Sequence, residues 1–417
     1  MAKRVRRLVP LPPDPIALAR SLAGRGGLAV LASSPVGALR DDDVRESFVA
    51  CDPVETSADL VPTRGGFWIG AIPYEALRGI ERRRDETRPA PRIEQPRWKR
   101  YDAVLRVDHR TGDVFIEADD LAASERLFRA ARSKPAARRD LRVRMRENEP
   151  AERHRERVAA ALEYIARGDV YQVNLARKID FGFEGSPLDL LAATPAPYAA
   201  LLDLGDATIV SSSPELALEV RGDRLRTAPI KGTRPRGTCR VTDEAQRAEL
   251  EASDKERAEL VMATDLHRND LGRVARFGSV RVLGEPKTLM SRTVFSRVQE
   301  VVASRADGVN LSTLVEAMLP SGSVTGAPKV RAMEIIAELE AHRRGLYTGA
   351  IGFVHGERCV LSMAIRTAVV SKDALEYFTG GGIVAGSVPA REVDETNWKA
   401  SHLVGKEGFS LSGGEAT

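Results

Sequence analysis

The 417-residue sequence predicts a mixed α and β protein. Three observations carry that prediction. Short apolar runs bounded by glycine or turn residues fill the first part of the chain, helically spaced apolar residues appear from Arg153 onward, and further strand-like runs lie between those helices. Taken in order, Gly27 to Ala32 and Gly65 to Ala71 read as buried strands punctuated by glycine. Residues 82–99 are charged and proline-rich, which predicts an exposed loop. Ala103 to Val107 and Asp113 to Ile116 flank Arg110-Thr111-Gly112, a hairpin signature. A helix is predicted from about Leu121 to Arg132, followed by a charged connector from Ser133 to Arg155.

Beyond the connector the elements lengthen. Val158, Leu162 and Ile165 have helical spacing over Arg155 to Arg167, and Gly168 can close that helix. Thr242 or Asp243 can cap another helix running past Leu266, with Leu250, Leu260, Met262 and Leu266 near its inner face. Ala207 to Ser211, Leu216 to Val220, Arg358 to Met363 and Ala364 to Val370 read as strands. The change of texture divides the chain into an N-terminal region, 1–150, and a region 151–417, expected to form one intertwined body.

Composition excludes several classes of function. The chain is 43% hydrophobic and 29% charged, ordinary for a soluble globular protein, and its net charge of +4 is a small excess of 63 basic over 59 acidic residues. The arginines at Arg4, Arg6, Arg7 and Arg82 to Arg84 are short runs without interleaved aromatics, so nucleic-acid binding is not expected. Cys51, Cys239 and Cys359 lie far apart, which argues against zinc and disulfide frameworks and suits a reducing cytoplasm. Prolines follow the basic N-terminus where a leader would be apolar, and no run approaches the roughly 18 apolar residues of a membrane span.

Chemistry concentrates between Gly168 and Lys399. Lys231 lies in Pro229-Ile230-Lys231-Gly232-Thr233, a small, mostly apolar segment whose glycine lets backbone approach a ligand; there a lysine is a potential nucleophile. Glu256 and Glu259 have an i, i+3 relation, as do Glu392 and Glu395, so two acidic stations suit a hard divalent cation. Arg366 offers a bidentate fork for a carboxylate. Gly380, Gly381 and Gly382 offer backbone N–H groups to an anion, as does the Gly232-Thr233 segment, read as a turn. Gly322 to Lys329 lacks the Gly-x-x-x-x-Gly-Lys-Ser/Thr order, which rules against a nucleotide phosphate loop.

Eight ordered motifs together resemble the chorismate-utilising enzymes. They are Gly168 to Arg177 (with Tyr171-Gln172-Val173-Asn174), Ser213-Pro214-Glu215, Pro229 to Thr233, Lys255 through Arg268-Asn269-Asp270 to Val274, Ser323-Val324-Thr325-Gly326-Ala327-Pro328-Lys329, Arg344 to Gly352, Ala364 to Ala368, and Gly380 to Ala385 with Glu392, Glu395 and Lys399. The resemblance implies an α+β fold of two packed antiparallel sheets flanked by helices. It implies Mg2+ held by Glu259 and Glu395, with Glu392 acting directly or through water. Arg366 and Tyr347 would hold the carboxylate of the enolpyruvyl arm. Gly232, Thr233, Gly380, Gly381, Gly382, Gln172, Thr325 and Lys399 complete the implied substrate contacts.

Glu215 takes the place of a general acid for the C4 hydroxyl. Lys231 resembles the lysine of the aminodeoxychorismate synthase component I branch, whereas anthranilate synthase component I usually carries alanine. Gln172 replaces the lysine base of isochorismate and salicylate synthases, which disfavours water addition. One departure is Thr293-Val294-Phe295-Ser296, where family members carry a histidine before a Leu-Val-Ser run. The N-terminal third matches loosely: Leu31-Ala32-Ser33-Ser34 and Arg45 to Val49, with Pro197, Tyr198 and Ala199, resemble a tryptophan-holding segment, and a plain buried strand and turn accounts for them equally well. The implied reaction is amination of chorismate at C4, with ammonia from a separate glutamine amidotransferase, toward p-aminobenzoate and folate. The alternatives are anthranilate synthesis and a non-catalytic subunit binding chorismate or tryptophan.

Overall fold

The computed structural model describes residues 4–35, 38–40, 45–80, 88–146, 149–291 and 294–404. Its frame is two antiparallel sheets, of 12 and 10 strands. In the larger sheet the order runs Val5–Val9, Asp113–Ala118, Ala103–Asp108, Glu46–Ala50, Ala29–Ala32, Tyr198–Asp203, Thr208–Ser213, Thr367–Ser371, Ala374–Ile383, Gln172–Glu184 and Gly326–Ala327, with Arg142–Met145 also on Gln172–Glu184. The smaller sheet runs Ile230–Pro235, Val294–Ser304, Arg224–Ala228, Leu216–Arg221, Arg358–Met363, Ala350–His355, Phe67–Ile72, Arg97–Tyr101 and Glu55–Ser57, with Arg281–Met290 also on Val294–Ser304. Strands from residues below 150 and above 151 share both sheets: Ala29–Ala32 pairs with Tyr198–Asp203, and Phe67–Ile72 with Ala350–His355.

The inner faces meet on a core that includes Phe48, Phe67, Ile69, Tyr101, Ile209, Ile351 and Phe353. Phe67 and Phe353 stack with centroids 5.3 Å apart, and Phe48 tilts against both, a geometry that adds to the burial of each ring. Helices cover the outer faces. Pro15–Ser21, Leu121–Ala131, Pro187–Ala193 and Pro389–Val404 pack on the larger sheet, while Asp254–Gly272 and Leu311–Met318 pack on the smaller.

Four local expectations change. The helix predicted from Thr242 past Leu266 is two helices, Arg240–Ala252 and Asp254–Gly272, because Ser253 is extended and its side chain caps Glu256 N–H, restarting the helix in a new direction. The connector Ser133 to Arg155 contains the strand Arg142–Met145 and the opening turn of Ala151–Ala166. The loop expected over 82–99 ends in the strand Arg97–Tyr101, whose Trp98 is fully buried; residues 81–87 lie outside those described. Lastly, Ile230–Pro235 is a strand. Its pairing with Val294–Ser304 shifts register between Lys231 and Thr233, so Gly232 at φ +74° is a bulge residue and not part of a turn. Among the described residues no helix is long and apolar enough to cross a membrane.

Candidate active site

Two places where the chain crosses between the sheets lie side by side. After Thr208–Ser213 in the larger sheet the chain passes through Pro214 and Glu215 into Leu216–Arg221 of the smaller; after Arg358–Met363 it returns through Ala364, Ile365 and Arg366 to Thr367–Ser371. Met363 N–H donates to Glu215 O at 3.0 Å, and Ser212 N–H donates to Arg366 O at 3.0 Å, which locks the crossings together. They deliver an acid and a cation to one place. Arg366 has φ +50°, uncommon for a residue with a Cβ, and among the described residues no carboxylate pairs with its guanidinium. Burial holds its pKa below the ordinary arginine value, with Tyr377 opposing. A half-buried, desolvated cation without a carboxylate partner among the described residues suits an anionic ligand.

Glu215 is 2% exposed, and burial pushes its carboxyl up to about 7 against the pull of Ser323, Lys231 and Lys399. Such a group is about half protonated at neutral pH and able to exchange its proton there. Lys231 Nζ donates to Ser323 O at 2.9 Å. Desolvation pulls its pKa below the ordinary lysine value, while Glu259, Glu215 and Glu395 resist. The strand Ala374–Ile383 explains why three glycines sit opposite it. A Cβ on Gly382 would lie 2.7 Å from Gln172 Nε2 and 3.4 Å from Lys231 Nζ, and one on Gly381 would lie 3.0 Å from Glu392 Oε2 and 3.4 Å from Glu395 Oε1. Gly380, Gly381 and Gly382 pair with Ala176, Leu175 and Asn174. They lie on a strand and leave clearance there, and the edge of that strand facing Thr367–Ser371 is paired only as far as Tyr377.

The acids divide by partner. Lys399 Nζ donates to Glu395 Oε1 at 2.6 Å and to Gly380 O at 2.8 Å. Burial alone would raise Glu395, but Lys399 outweighs it and holds that carboxyl low. Lys399 is correspondingly raised despite its own burial, because Glu395 dominates. Glu259 and Glu392 are raised, first by burial; Glu259 is raised further by Glu256 and Glu395, and Glu392 by Glu395. Among the described residues no three His, Cys, Asp or Glu side chains form a ready-made metal centre. Yet these carboxylates are hard donors whose mutual repulsion a divalent cation would relieve, and the space left by the missing Cβ of Gly381 borders two of them. The residues therefore fit magnesium.

Other sequence-predicted residues gather here with different commitments. Gln172 is 1% exposed, and neither its amide oxygen nor its nitrogen has a protein partner. Tyr347 stacks on Phe378 with centroids 5.7 Å apart, and burial raises its phenol. Thr233 pairs in register with Ser296. Thr325 Oγ1 donates to Ser321 O at 2.8 Å, so its hydrogen serves the short helix Gly322–Thr325. Thr293 lies outside the described residues.

Sequence reading passed over the supports. Arg344, fully buried, donates to both oxygens of Glu340, to Val324 O at 3.0 Å and to Asn174 O at 2.8 Å, tying the Gly322–Thr325 helix to the Gln172–Glu184 strand. His267, Ser321 and Thr227 form a buried polar string behind Glu215. Histidine on the inner face of a helix was the available signal.

A second region is separate. A cavity of about 620 Å³, counted with its open mouth, is lined by Ser33, Pro197, Tyr198 and Ala199 together with Phe48, Phe353 and other residues of both sheets. Ser34 does not line it; its N–H donates to Ala196 O. Around the cavity, Arg106 and Arg358 pair with Glu46, and Arg226 with Glu219 and Glu300.

Against known proteins, residues 23–405 match the family model described as chorismate binding enzyme. The chain belongs to the chorismate-binding enzymes. It is similar to anthranilate synthase component 1 of Thermus thermophilus, at 38% identity over 84% of this chain and 79% of that relative. It is also similar to aminodeoxychorismate synthase component 1 of Bacillus subtilis, at 43% identity over 57% of this chain and 52% of that one. The two-sheet fold is shared with anthranilate synthase component I of Streptococcus pneumoniae, at TM-score 0.73 and 24% identity over 88% of this chain and 93% of that one. The menaquinone-specific isochorismate synthase of Escherichia coli shares it too, at TM-score 0.77 and 19% identity over 96% of this chain and 93% of that one.

Proposed function

We propose that this chorismate-binding enzyme aminates its substrate at C4, giving 4-amino-4-deoxychorismate on a route to p-aminobenzoate and folate. The observation that carries the reading is Lys231, whose desolvated amine faces Gly382 and Gln172 within a ring of acids. A lysine is largely protonated at neutral pH in water, so burial is what makes this one a usable nucleophile. In the proposed sequence Arg366 and Tyr347 hold the enolpyruvyl carboxylate. Lys231 Nζ bonds to ring C2, both ring double bonds shift, and the C4–O bond breaks, with the proton of Glu215 leaving on the departing water. Ammonia then bonds to C4, both double bonds return, and Lys231 is expelled from C2. The surplus proton of the nitrogen restores Glu215. Magnesium bound by Glu259, Glu392 and Glu395 would neutralise the ring carboxylate. The ammonia comes in this reading from a separate glutamine amidotransferase.

A second reading has a specific observation behind it. The likeness to the Thermus thermophilus anthranilate synthase component spans more of both chains than the likeness to the Bacillus subtilis aminodeoxychorismate synthase component. It would place nitrogen at C2 and release pyruvate. Incubating the chain with chorismate, magnesium and ammonium and identifying the product by mass spectrometry separates the two: retained enolpyruvyl group and new C4–N bond for the first, fluorescent anthranilate for the second. The Ser33, Pro197, Tyr198 and Ala199 cavity is proposed to take tryptophan.

A further inference from the structure

Ser323 stands between the two groups that the proposed chemistry moves. Its hydroxyl donates to Glu215 Oε1 at 3.0 Å, and its carbonyl accepts from Lys231 Nζ at 2.9 Å. The residue is 3% exposed, so bulk water does not compete for either bond. It is also held from both flanks. Its N–H donates to Ser321 Oγ at 3.2 Å, and Ser321 Oγ lies 2.7 Å from His267 Nε2. On the other side Val324 O accepts from Arg344 Nη1 at 3.0 Å, and Thr325 Oγ1 donates to Ser321 O at 2.8 Å, fixing the short Gly322–Thr325 helix. Two oxygens lie near Ser323 Oγ, Glu215 Oε1 and Ser321 Oγ at 2.9 Å, and the carboxyl, the stronger acceptor as it ionises, takes the hydrogen. A hydroxyl fixed in this way does not have to be ordered when the reaction begins.

We propose that Ser323 is a positioning residue that acts through Glu215, holding Oε1 so that the transferable proton sits on Oε2, and tightening its hold as that proton leaves. While Glu215 is protonated the bond joins two neutral groups. After transfer the same O–H faces a carboxylate, and a hydrogen bond to a charged acceptor is roughly twice as strong. Only an interaction that gains strength along the reaction lowers its barrier, so the hydroxyl makes Glu215 a better proton donor. The groups that face Glu215 agree in direction: Lys231 from the Ile230–Pro235 strand, Lys399 from the Pro389–Val404 helix, the Ile230 N–H and Ser323 all favour the ionised form, and burial opposes them. Their constancy differs. Lys231 leaves for ring C2 in the same step, and Lys399 is committed to Glu395 at 2.6 Å, so Ser323 and the Ile230 N–H are the partners that stay with the acid throughout.

With Glu215 read as the acid, on which this inference rests, its carboxyl is titrated by 13C NMR in the full-length chain, the signal assigned by its loss in Glu215→Gln. Ser323→Ala removes the hydroxyl and keeps the carbonyl that receives Lys231, and the Glu215 pKa should rise by about one unit. Ser323→Cys, a weak donor, should raise it less, and Ser323→Thr, which keeps the hydroxyl, should titrate like the parent. In turnover with chorismate, magnesium and ammonium, a weaker acid that stays protonated to higher pH gives a deficit that varies with pH. The kcat/KM of Ser323→Ala should be about tenfold below the parent at pH 6 and close to it at pH 9, because the alkaline limb moves up by the same unit. A packing defect lowers the rate by one factor at both pH values. An unshifted Glu215 titration in folded Ser323→Ala and Ser323→Cys, or a deficit independent of pH, overturns the role of Ser323 while an inactive Glu215→Gln still supports the acid. A fully active Glu215→Gln overturns the acid itself, and the role of Ser323 with it.

Discussion

The two candidate ligand regions of this molecule solve the burial of charge in opposite ways. Around the Ser33–Tyr198 cavity each lining arginine has its anion: Arg226 meets Glu219 and Glu300, Arg221 meets Glu219, and Arg358 meets Glu46. Around Lys231 the space is crowded, and the charges are left in mutual tension. Glu215, Glu259 and Glu392 are raised, Lys231 is lowered, and Arg366 has no carboxylate among the described residues. A neutralised cavity can hold a ligand with little change in protonation. An unneutralised cluster is poised to move protons and to recruit a dication and an anionic substrate. Open volume therefore marks the first region, and perturbed titration marks the second.

The comparison can be broken at several points, beginning with the largest effect. Glu215→Gln keeps volume and removes the transferable proton, so kcat/KM should fall by about 10³ in stopped assays at pH 7. In the parent, the acid must be protonated, so kcat/KM should decline as pH rises through about 7, and a profile flat from pH 6 to 9 would contradict the assignment. Lys231→Ala should lower C4 amination by roughly 10², measured by product-specific chromatography. Glu395→Gln, or chelation by EDTA, should lower turnover by at least about tenfold, near 1.4 kcal/mol of transition-state stabilisation. Full activity in EDTA would remove the metal from the account. Arg366→Lys, which keeps charge but loses the planar fork, should raise KM for chorismate by about tenfold with a smaller change in kcat. At the other region, Tyr198→Ala should leave ligand-free turnover within about twofold while weakening tryptophan binding by calorimetry. If it abolished turnover, the two regions would not be separable.

Much of this was legible in the sequence, and the gaps have physical causes. Short apolar runs such as Ala103 to Val107 and Leu216 to Val220 announce strands because one local pattern suffices, and both appear where expected. The break at Ser253 was hidden because apolar spacing continues on either side of it, and only the extended backbone of the cap reveals two helices. The glycine triplet read as an anion-binding run, and the clearance it leaves for Gln172, Lys231 and Glu392 was hidden because those residues are distant in sequence and no local window brings them together. His267 shows locally only as a histidine on the inner face of a helix, since its partners come from the strand Arg224–Ala228 and from Ser321, the cap of the Gly322–Thr325 helix.

The central claim is that the half-buried, desolvated amine of Lys231 directs nitrogen to C4, and its most direct test is the product of the parent enzyme. With 15N-ammonium, chorismate and magnesium, NMR should show 15N bonded to ring C4 with the enolpyruvyl group intact. Nitrogen at C2 with release of pyruvate would contradict the account and assign the chain to anthranilate synthesis.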